Sequence, residues 1–219
     1  MSSFVSRYRD GARAALAVAA TVWFFGASFG LVARGAEMGV VAPLVMSATT
    51  FAGSAQFAAA SILGDAGTVA AAIVAAVLLN ARYGPMSVAA GSGFDGPLWR
   101  RFLASQLIVD ESWALSARGD GRFDVPFLLG AGLTLYPVWV GGTAIGVVAG
   151  DLLGDPERLG LDAAFPALFL ALLAGQVESG GARVAALLGG AIAIALVPIA
   201  PAGVPIIAAA AACLVGLRR

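Results

Sequence analysis

Hydroxyl, amide and glycine residues are concentrated in the middle of an otherwise apolar stretch of the sequence. The stretch runs from Met38 to Gly64 and contains no charged side chain. The polar and small residues at its centre are Ser47, Thr49, Thr50, Gly53, Ser54 and Gln56. The Ser, Thr and Gln side chains among them donate and accept hydrogen bonds without titrating near neutral pH. They are therefore suited to binding a small polar solute.

Two arrangements would account for this polar centre. Small residues let membrane helices pack closely, which explains Gly53 and Ser54 without any ligand. A discontinuous helix also explains Gln56, because unwound backbone at mid-membrane is tolerated only where it lines a cavity or contacts protein. Such broken helices bind the charged ends of small substrates. We predict a break between Ala52 and Gln56, with Ser54 and Gln56 as substrate or gating contacts.

A second unusual stretch, Leu78–Pro85, contains Asn80 and Arg82 at the end of an apolar run. A charged side chain at the bilayer centre costs on the order of 2.5–3.5 kcal/mol on insertion scales. Arg82 could avoid this cost by extending to the membrane interface. Alternatively, Asn80 and Arg82 lie in a polar cavity. We predict that Arg82 faces the protein interior and pairs with a carboxylate of the protein or of the substrate.

A third stretch, Leu107–Leu115, carries two adjacent carboxylates, Asp110 and Glu111, between apolar residues. Neighbouring residues on a helix point about 100° apart, so only one of the two can share a face with the apolar residues. The pair could simply cap or solvate a short helix. As functional groups, one carboxylate could take up protons during transport or neutralise Arg82.

The composition indicates a membrane protein. Of 219 residues, 60% are hydrophobic and only 12% are charged, about half the charged fraction of a typical soluble domain. The mean hydropathy is +0.91. The formal net charge is zero, which argues against nucleic acid as a partner. We therefore expect a single domain, residues 1–219, embedded in the lipid bilayer of the cell (inner) membrane.

The sequence lacks the residues on which most enzymatic sites depend. There is no His, so a Ser–His catalytic dyad is impossible and the commonest metal ligand is missing. The single Cys, Cys213, lies in an apolar run and reads as a small hydrophobic residue. We expect no enzymatic activity, no metal site and no cofactor.

Apolar runs predict an all-α polytopic fold with about seven transmembrane segments, some of them discontinuous. A helix needs about 20 apolar residues to cross the hydrocarbon core. The runs are Ala14–Ala33, Met38–Gly64, Ala66–Gly91 with an interruption at Asn80–Pro85, Val125–Gly150, Ala163–Val177, and Val184–Leu217, which Val197–Pro205 divides in two. Between them, Leu98–Ala117 reads as an amphipathic or short helix.

The chain also contains a weak internal repeat. The segment "WFFGASFGLVA" (Trp23–Ala33) aligns without a gap to "WVGGTAIGVVA" (Trp139–Ala149), and Gly39–Gln56 resembles Gly160–Gln176. This predicts two related halves, about 14–91 and 130–217, joined by an Arg-rich loop at 92–124. The arginines before residue 14 and those of the loop both favour the cytoplasm. They conflict if three full crossings separate them. Either one segment is then re-entrant or discontinuous, or one of the two sets of arginines does not lie in the cytoplasm.

Three blocks together resemble the AzlC family of branched-chain amino acid permeases. They are "SATTFAGSAQF" (Ser47–Phe57), "LLNARYG" (Leu78–Gly84) and "IVDESWAL" (Ile108–Leu115), and the resemblance in order and spacing extends over about residues 10–200. The chain departs from the family pattern at Val109, where a Thr is expected. The first block is the most specific of the three.

The resemblance implies a secondary transporter subunit that exports branched-chain amino acids such as valine, driven by an ion gradient. It also implies a small AzlD-type membrane subunit as a partner. We predict a substrate site of Phe51, Gly53, Ser54, Gln56 and Asn80. Coupling or gating is assigned to Arg82, Asp110 and Glu111.

The alternative function is a membrane channel or a scaffold subunit for another small solute. A channel would conduct its solute downhill without saturation, and this property distinguishes it from a transporter. Many helices of the chain are rich in Gly and Ala, and such smooth faces let a partner helix approach closely. Gly189 and Gly190 are therefore the predicted contact surface for the small subunit.

Overall fold

The computed structural model describes residues 2–91, 93–118, 122–153, 170, 173–174, 177, 180–200 and 204–212. Within these ranges the fold is helical, apart from one isolated antiparallel bridge between Ala117 and Phe123. The helices are α1 (Ser2–Gly35), α2 (Val41–Thr49), α3 (Gly53–Gly64), α4 (Val69–Asn80), α5 (Tyr83–Gly91), α6 (Leu98–Ser105), α7 (Asp110–Ser116), α8 (Val125–Leu153), α9 (Gly180–Leu196) and α10 (Val204–Ala210). Two described stretches, Ser3–Gly35 and Val125–Gly150, are long and apolar enough to span a membrane.

The two long helices, α1 and α8, lie side by side and run in the same direction. Arg7, near the start of α1, pairs with Asp124, which directly precedes α8. At the other end, the Cβ position of Gly150 lies 2.9 Å from the Cβ of Arg34. Position along α8 therefore measures depth in the bundle, from an Arg7 end to an Arg34 end.

Glycines bring α1 and α8 into backbone contact, and the contact is reciprocal. A Cβ at Gly26 would lie 2.6 Å from the carbonyl oxygen of Trp139, and a Cβ at Gly142 would collide with the carbonyl oxygen of Trp23. The same exchange recurs about one turn further on, between Gly30 and Thr143 and between Gly146 and Ala27. The two aligned repeat segments are thus the two sides of one helix contact. That contact alone requires the same glycine spacing on both helices.

The segment Met38–Gly64 does not cross the bundle, although it was predicted as one of the transmembrane segments, with a break in its helix. Gly64, at the end of α3, lies against Ala36 at the Arg34 end. Ser47 of α2 bonds Thr143, whereas Phe51 packs on Tyr136, two turns nearer the Arg7 end. Helix α2 therefore enters from the Arg34 end, and α3 returns to it. The two form a re-entrant hairpin with its tip at residues 50–52.

The helix break was predicted between Ala52 and Gln56, but it lies earlier, at Thr50–Ala52. Phe51 has φ of +44°, a left-handed conformation that an α-helix cannot contain. Gly53 is already the first residue of α3 and is small for a different reason. A Cβ there would lie 2.9 Å from the indole ring of Trp139. The glycine provides space for packing, and Phe51 makes the turn.

Helices α4 and α5 cross the bundle together, with the predicted interruption at Ala81 and Arg82. Helix α4 starts four residues after Asp65, at the Arg34 end, and packs antiparallel to α3. A Cβ at Gly93, just after α5, would lie 2.7 Å from a side-chain methyl carbon of Val125, at the Arg7 end. Because only this one crossing separates α1 from α8, both arginine-rich regions lie at the same end. The re-entrant hairpin removes the conflict in orientation.

The region predicted as one helix, Leu98–Ala117, contains two. Helix α6 is exposed along its length, and α7 starts after Val109, which has extended backbone. The carbonyl oxygen of Leu107 lies against Gly132, so this segment dips from the Arg7 end into the bundle before it returns to α8.

The first span was predicted as Ala14–Ala33, but its helix is longer and includes the arginines before it. Arginines end an apolar run without ending a helix, since Arg is a good helix former.

The C-terminal part is described for α9 and α10, which pack against each other on either side of the predicted break at 197–205. Of the two glycines predicted to contact the small subunit, Gly189 and Gly190, the first packs within the chain itself. The Cβ position of Gly189 lies 3.3 Å from the carbonyl oxygen of Ala209, so this glycine packs against the chain's own α10. Gly190 has no described atom within 4 Å of its Cβ position. Most of the predicted segment Ala163–Val177 and of the repeat match Gly160–Gln176 lies outside the described residues, so the two halves stay a prediction.

Candidate functional site

Two interruptions of helical backbone meet in the interior of the described bundle, and a third is linked to one of them by an ion pair. Phe51 at the hairpin tip and Val109 before α7 belong to one buried apolar cluster, together with Leu135 and Trp139 of α8. The third interruption, at Arg82, reaches the first residue of α7 through its side chain. The hairpin α2–α3 approaches from the Arg34 end and α7 from the Arg7 end. The interior therefore places irregular backbone, which can bind polar groups, beside apolar walls.

Gln56 is the centre of a buried hydrogen-bond network. Its side chain is fully buried, and Nε2 donates to Ser47 Oγ at 2.8 Å. Oε1 accepts from Trp139 Nε1 at 3.1 Å and from the backbone N–H of Ala52 at 3.3 Å. Ser47 Oγ in turn lies 2.8 Å from Thr143 Oγ1. Gln56 thus caps the start of α3 and ties both arms of the hairpin to α8.

Ser54 differs from Gln56 in having an unused hydrogen-bonding group. It lies in the first turn of α3 and is 7% exposed. Its Oγ is buried, and no described residue hydrogen-bonds to it. A buried hydroxyl normally has a partner, so this atom is available to a ligand.

Arg82 makes the predicted contact with the carboxylate pair. Its Nη2 donates to Asp110 Oδ2 at 2.6 Å and to the Tyr83 hydroxyl at 3.3 Å. Both charged side chains are only partly buried, with 32% and 40% of their surface exposed. Glu111 is half-buried beside Asp110 on α7. The predicted contact of Arg82 with Asp110 is confirmed, on a pair that is only partly buried, and the proposed coupling roles of all three residues stay predictions.

Further buried polar atoms, on residues at or close in sequence to this ion pair, have no hydrogen-bond partner among the described residues. They are Asn80 Oδ1, Arg82 Nε and Trp113 Nε1. Asn80 ends α4, and Trp113 lies one turn after Asp110 on α7. The sequence analysis missed Trp113. It lies in the block Ile108–Leu115, where only the adjacent carboxylates were considered as functional groups.

The predicted substrate residues therefore fall into two groups. Phe51, Gly53 and Gln56 shape and hold the hairpin tip, and their side chains are already engaged with α8 or with the backbone. Ser54 and Asn80 have polar atoms with no described partner. No set of three His, Cys, Asp or Glu residues in the described part of the chain is grouped to hold a metal ion.

Comparison with known proteins relates most of the chain to one family. The family described as AzlC protein matches residues 17–153. A protein of Archaeoglobus fulgidus, named only as an uncharacterized membrane protein, is 34% identical over 189 residues, or 84% of this chain and 82% of the relative. A relative with the same description from Helicobacter pylori strain 26695 is 25% identical over 183 residues, covering 81% and 79%.

One relative has a functional name. The branched-chain amino acid transport protein AzlC of Bacillus subtilis is 26% identical over 156 residues, which cover 70% of this chain and 61% of the relative. No solved structure matches the chain.

Proposed function

The chain belongs to the AzlC family, and from this premise we propose that it is a secondary transporter subunit that exports branched-chain amino acids such as valine. Its relatives are named as membrane proteins, and one of them is named as a branched-chain amino acid transport protein. The observation that supports a substrate site is the meeting of two helix interruptions in a buried interior, with a third joined to them by the partly buried Arg82–Asp110 ion pair. Discontinuous helices near the bilayer midplane commonly form the substrate sites of secondary transporters.

The proposed substrate site combines an apolar wall with unsatisfied polar atoms. Phe51, Val109 and Leu135 supply a buried surface suited to a branched aliphatic side chain. Ser54 Oγ and Asn80 Oδ1 can hydrogen-bond the polar end of the same molecule. Gln56 holds the hairpin tip in place and acts as a positioning residue. This mixture of apolar lining and few polar groups is typical of small-molecule sites.

The proposed orientation places the Arg7 end in the cytoplasm and the Arg34 end outside. Arg7 and Arg118 both pair with Asp124 at this end. Arg100 and Arg101 lie on α6, which follows the end of α5 there. This distribution matches the positive-inside rule for short cytoplasmic segments. The hairpin α2–α3 would then enter from the outside and α7 from the cytoplasm. Movement of either one would open the site to one side only, as alternating access demands.

An ion gradient is proposed as the driving force, with Arg82, Asp110 and Glu111 as the coupling or gating group. The Arg82–Asp110 ion pair joins the interruption of α4–α5 to the start of α7. Breaking or forming this pair would change the position of α7, and with it access from the Arg7 end. A small AzlD-type subunit is the proposed partner, which would cover the apolar faces of α4 and α9.

The test is transport in proteoliposomes that contain the chain with its co-expressed small subunit. Vesicles loaded with radiolabelled valine should lose it in a saturable manner, faster when an ion gradient is imposed, and unlabelled leucine or isoleucine should compete. Empty vesicles and vesicles with the Arg82→Ala variant are the controls. Efflux that rises linearly with valine concentration and shows no competition would support a channel and reject the transporter.

A further inference from the structure

The indole N–H of Trp113 is a buried donor without a described acceptor. Its ring is fixed by Phe123, with ring centroids 4.9 Å apart, and it packs against a cluster that contains Ile108 and Leu128. The Nε1 atom is nevertheless shielded from water and bonds no described residue. Buried Trp N–H groups usually find an acceptor, because burial without one is costly. The ring is therefore held in a position that leaves its donor available.

A second unused donor lies on the side chain that reaches the same helix turn. Arg82 contacts Asp110 and Tyr83 through Nη2, while its Nε is buried and has no described partner. Asp110 begins α7, and Trp113 follows one turn later, so the two lie on neighbouring positions of one helix face. The guanidinium is held at the turn that carries the indole. Two buried donors thus flank the start of α7.

An unused acceptor lies close in sequence to Arg82. Asn80 Oδ1 is buried without a described partner, two residues before Arg82 at the end of α4. Its carbonyl oxygen can only accept hydrogen bonds. Two donors and one acceptor form the complement of a free α-amino acid, whose carboxylate accepts and whose ammonium group donates.

We propose that Arg82 and Trp113 bind the α-carboxylate of the transported amino acid, and that Asn80 accepts a hydrogen bond from its ammonium group. The proposal rests on the function proposed above. It adds Trp113 to the substrate contacts and gives Arg82 a substrate contact besides its proposed coupling role. The carboxylate then shares the guanidinium with Asp110, so substrate binding weakens the ion pair that holds α7. The carboxylate and ammonium groups of the substrate are thus bound at one place, and its aliphatic side chain faces the apolar wall at Phe51 and Val109.

The variant Trp113→Phe tests this assignment because it removes the N–H and keeps an aromatic ring against Phe123. The matched control is Trp99→Phe on α6, where the residue is 59% exposed. Valine and valinamide, which lacks the carboxylate, are titrated by calorimetry into the purified chain with its co-expressed small subunit. Loss of one hydrogen bond to a charged group should raise the Kd of valine by about tenfold or more. The Kd of valinamide should not change, and neither ligand should be affected by Trp99→Phe.

An unchanged Kd of valine in Trp113→Phe would overturn the assignment. Equal weakening of valine and valinamide would also overturn it, because it would show that the indole only supports packing. If the unaltered protein binds a different amino acid, and that binding depends on Trp113, only the branched-chain part of the proposed function fails. If the unaltered protein binds no common amino acid, both proposals fail together.

Discussion

Arg82 and Asp110 form an ion pair of 2.6 Å that connects the interruption between α4 and α5 to the first residue of α7. The two residues are 28 positions apart in sequence and join two elements that otherwise approach the interior separately. We expect Arg82→Ala to reduce valine export by more than about tenfold, since hydrogen bonds to charged groups are among the stronger ones. Export should be measured at matched protein levels in proteoliposomes.

The control for this prediction is Arg100→Ala on the exposed face of α6, which should leave export unchanged. Arg82→Lys should restore it only in part, because a single ammonium cannot reproduce the several fixed donors of a guanidinium. Normal export by Arg82→Ala would show that this arginine is a structural anchor.

The reciprocal glycine contact should be intolerant of even one methyl group. Gly146→Ala places a Cβ against the carbonyl oxygen of Ala27, which is backbone and cannot move aside without shifting α1. Overpacking of this kind costs about 1–3 kcal/mol. We expect a lower midpoint of thermal unfolding in detergent. Gly141→Ala, where a Cβ meets no described atom within 4 Å, should leave the midpoint unchanged or raise it. Equal midpoints for the two variants would contradict the close contact.

Gln56→Leu should destabilise the re-entrant hairpin. It leaves the N–H groups of Trp139 and Ala52 buried without their acceptor. Each unsatisfied group costs about 1–3 kcal/mol. Gln106→Leu, at an exposed position after α6, makes the same chemical change at the surface and should be close to neutral. Denaturant unfolding of both variants, monitored by tryptophan fluorescence, checks the difference.

Cysteine labelling can test the hairpin topology. Glu37 precedes α2 and Asp65 follows α3, and both are exposed. In a background without Cys213, Glu37→Cys and Asp65→Cys should react with an impermeant reagent from the same side of the membrane. Ser6→Cys should react only from the opposite side. Labelling of positions 37 and 65 from opposite sides would mean that the segment spans the membrane.

The two adjacent glycines of α9 should respond differently to a large side chain. Gly190→Leu should prevent co-purification of the proposed small subunit without unfolding the chain, because its Cβ position is open. Gly189→Leu should instead destabilise the chain itself through its contact with Ala209. Retention of the subunit by Gly190→Leu would move the partner surface elsewhere.

The polar and charged residues of the candidate site were easier to predict from the sequence than the path of the chain. The polar residues at Ser47–Gln56 and the charge at Arg82 were recognisable because each is costly in lipid unless it is satisfied or lines a cavity. The direction in which α3 leaves the break was not predictable, because an apolar run has the same composition whether it crosses or returns. Only the contacts of Gly64 with Ala36 and of Ser47 with Thr143 distinguish the two.

The exact position of the break was missed for a local reason. A glycine such as Gly53 is the residue type expected at a helix break. Its small size is instead required by the indole of Trp139, which is distant in sequence and packs against it. The left-handed conformation falls on Phe51, whose ring is held by Tyr136. A tertiary contact overrides the local preference here, as it also does at Gly189.

The hydrogen bonds of the α2–α3 hairpin set an order of events during synthesis. Ser47 and its partner Thr143 are separated by 96 residues. At a typical rate of about 5–20 residues per second, the ribosome needs roughly 5–20 s to make the second after the first. During this interval the amide of Gln56 and the hydroxyl of Ser47 lack the side of the network that α8 supplies. The hairpin therefore completes its burial only after α8 has been synthesised and inserted.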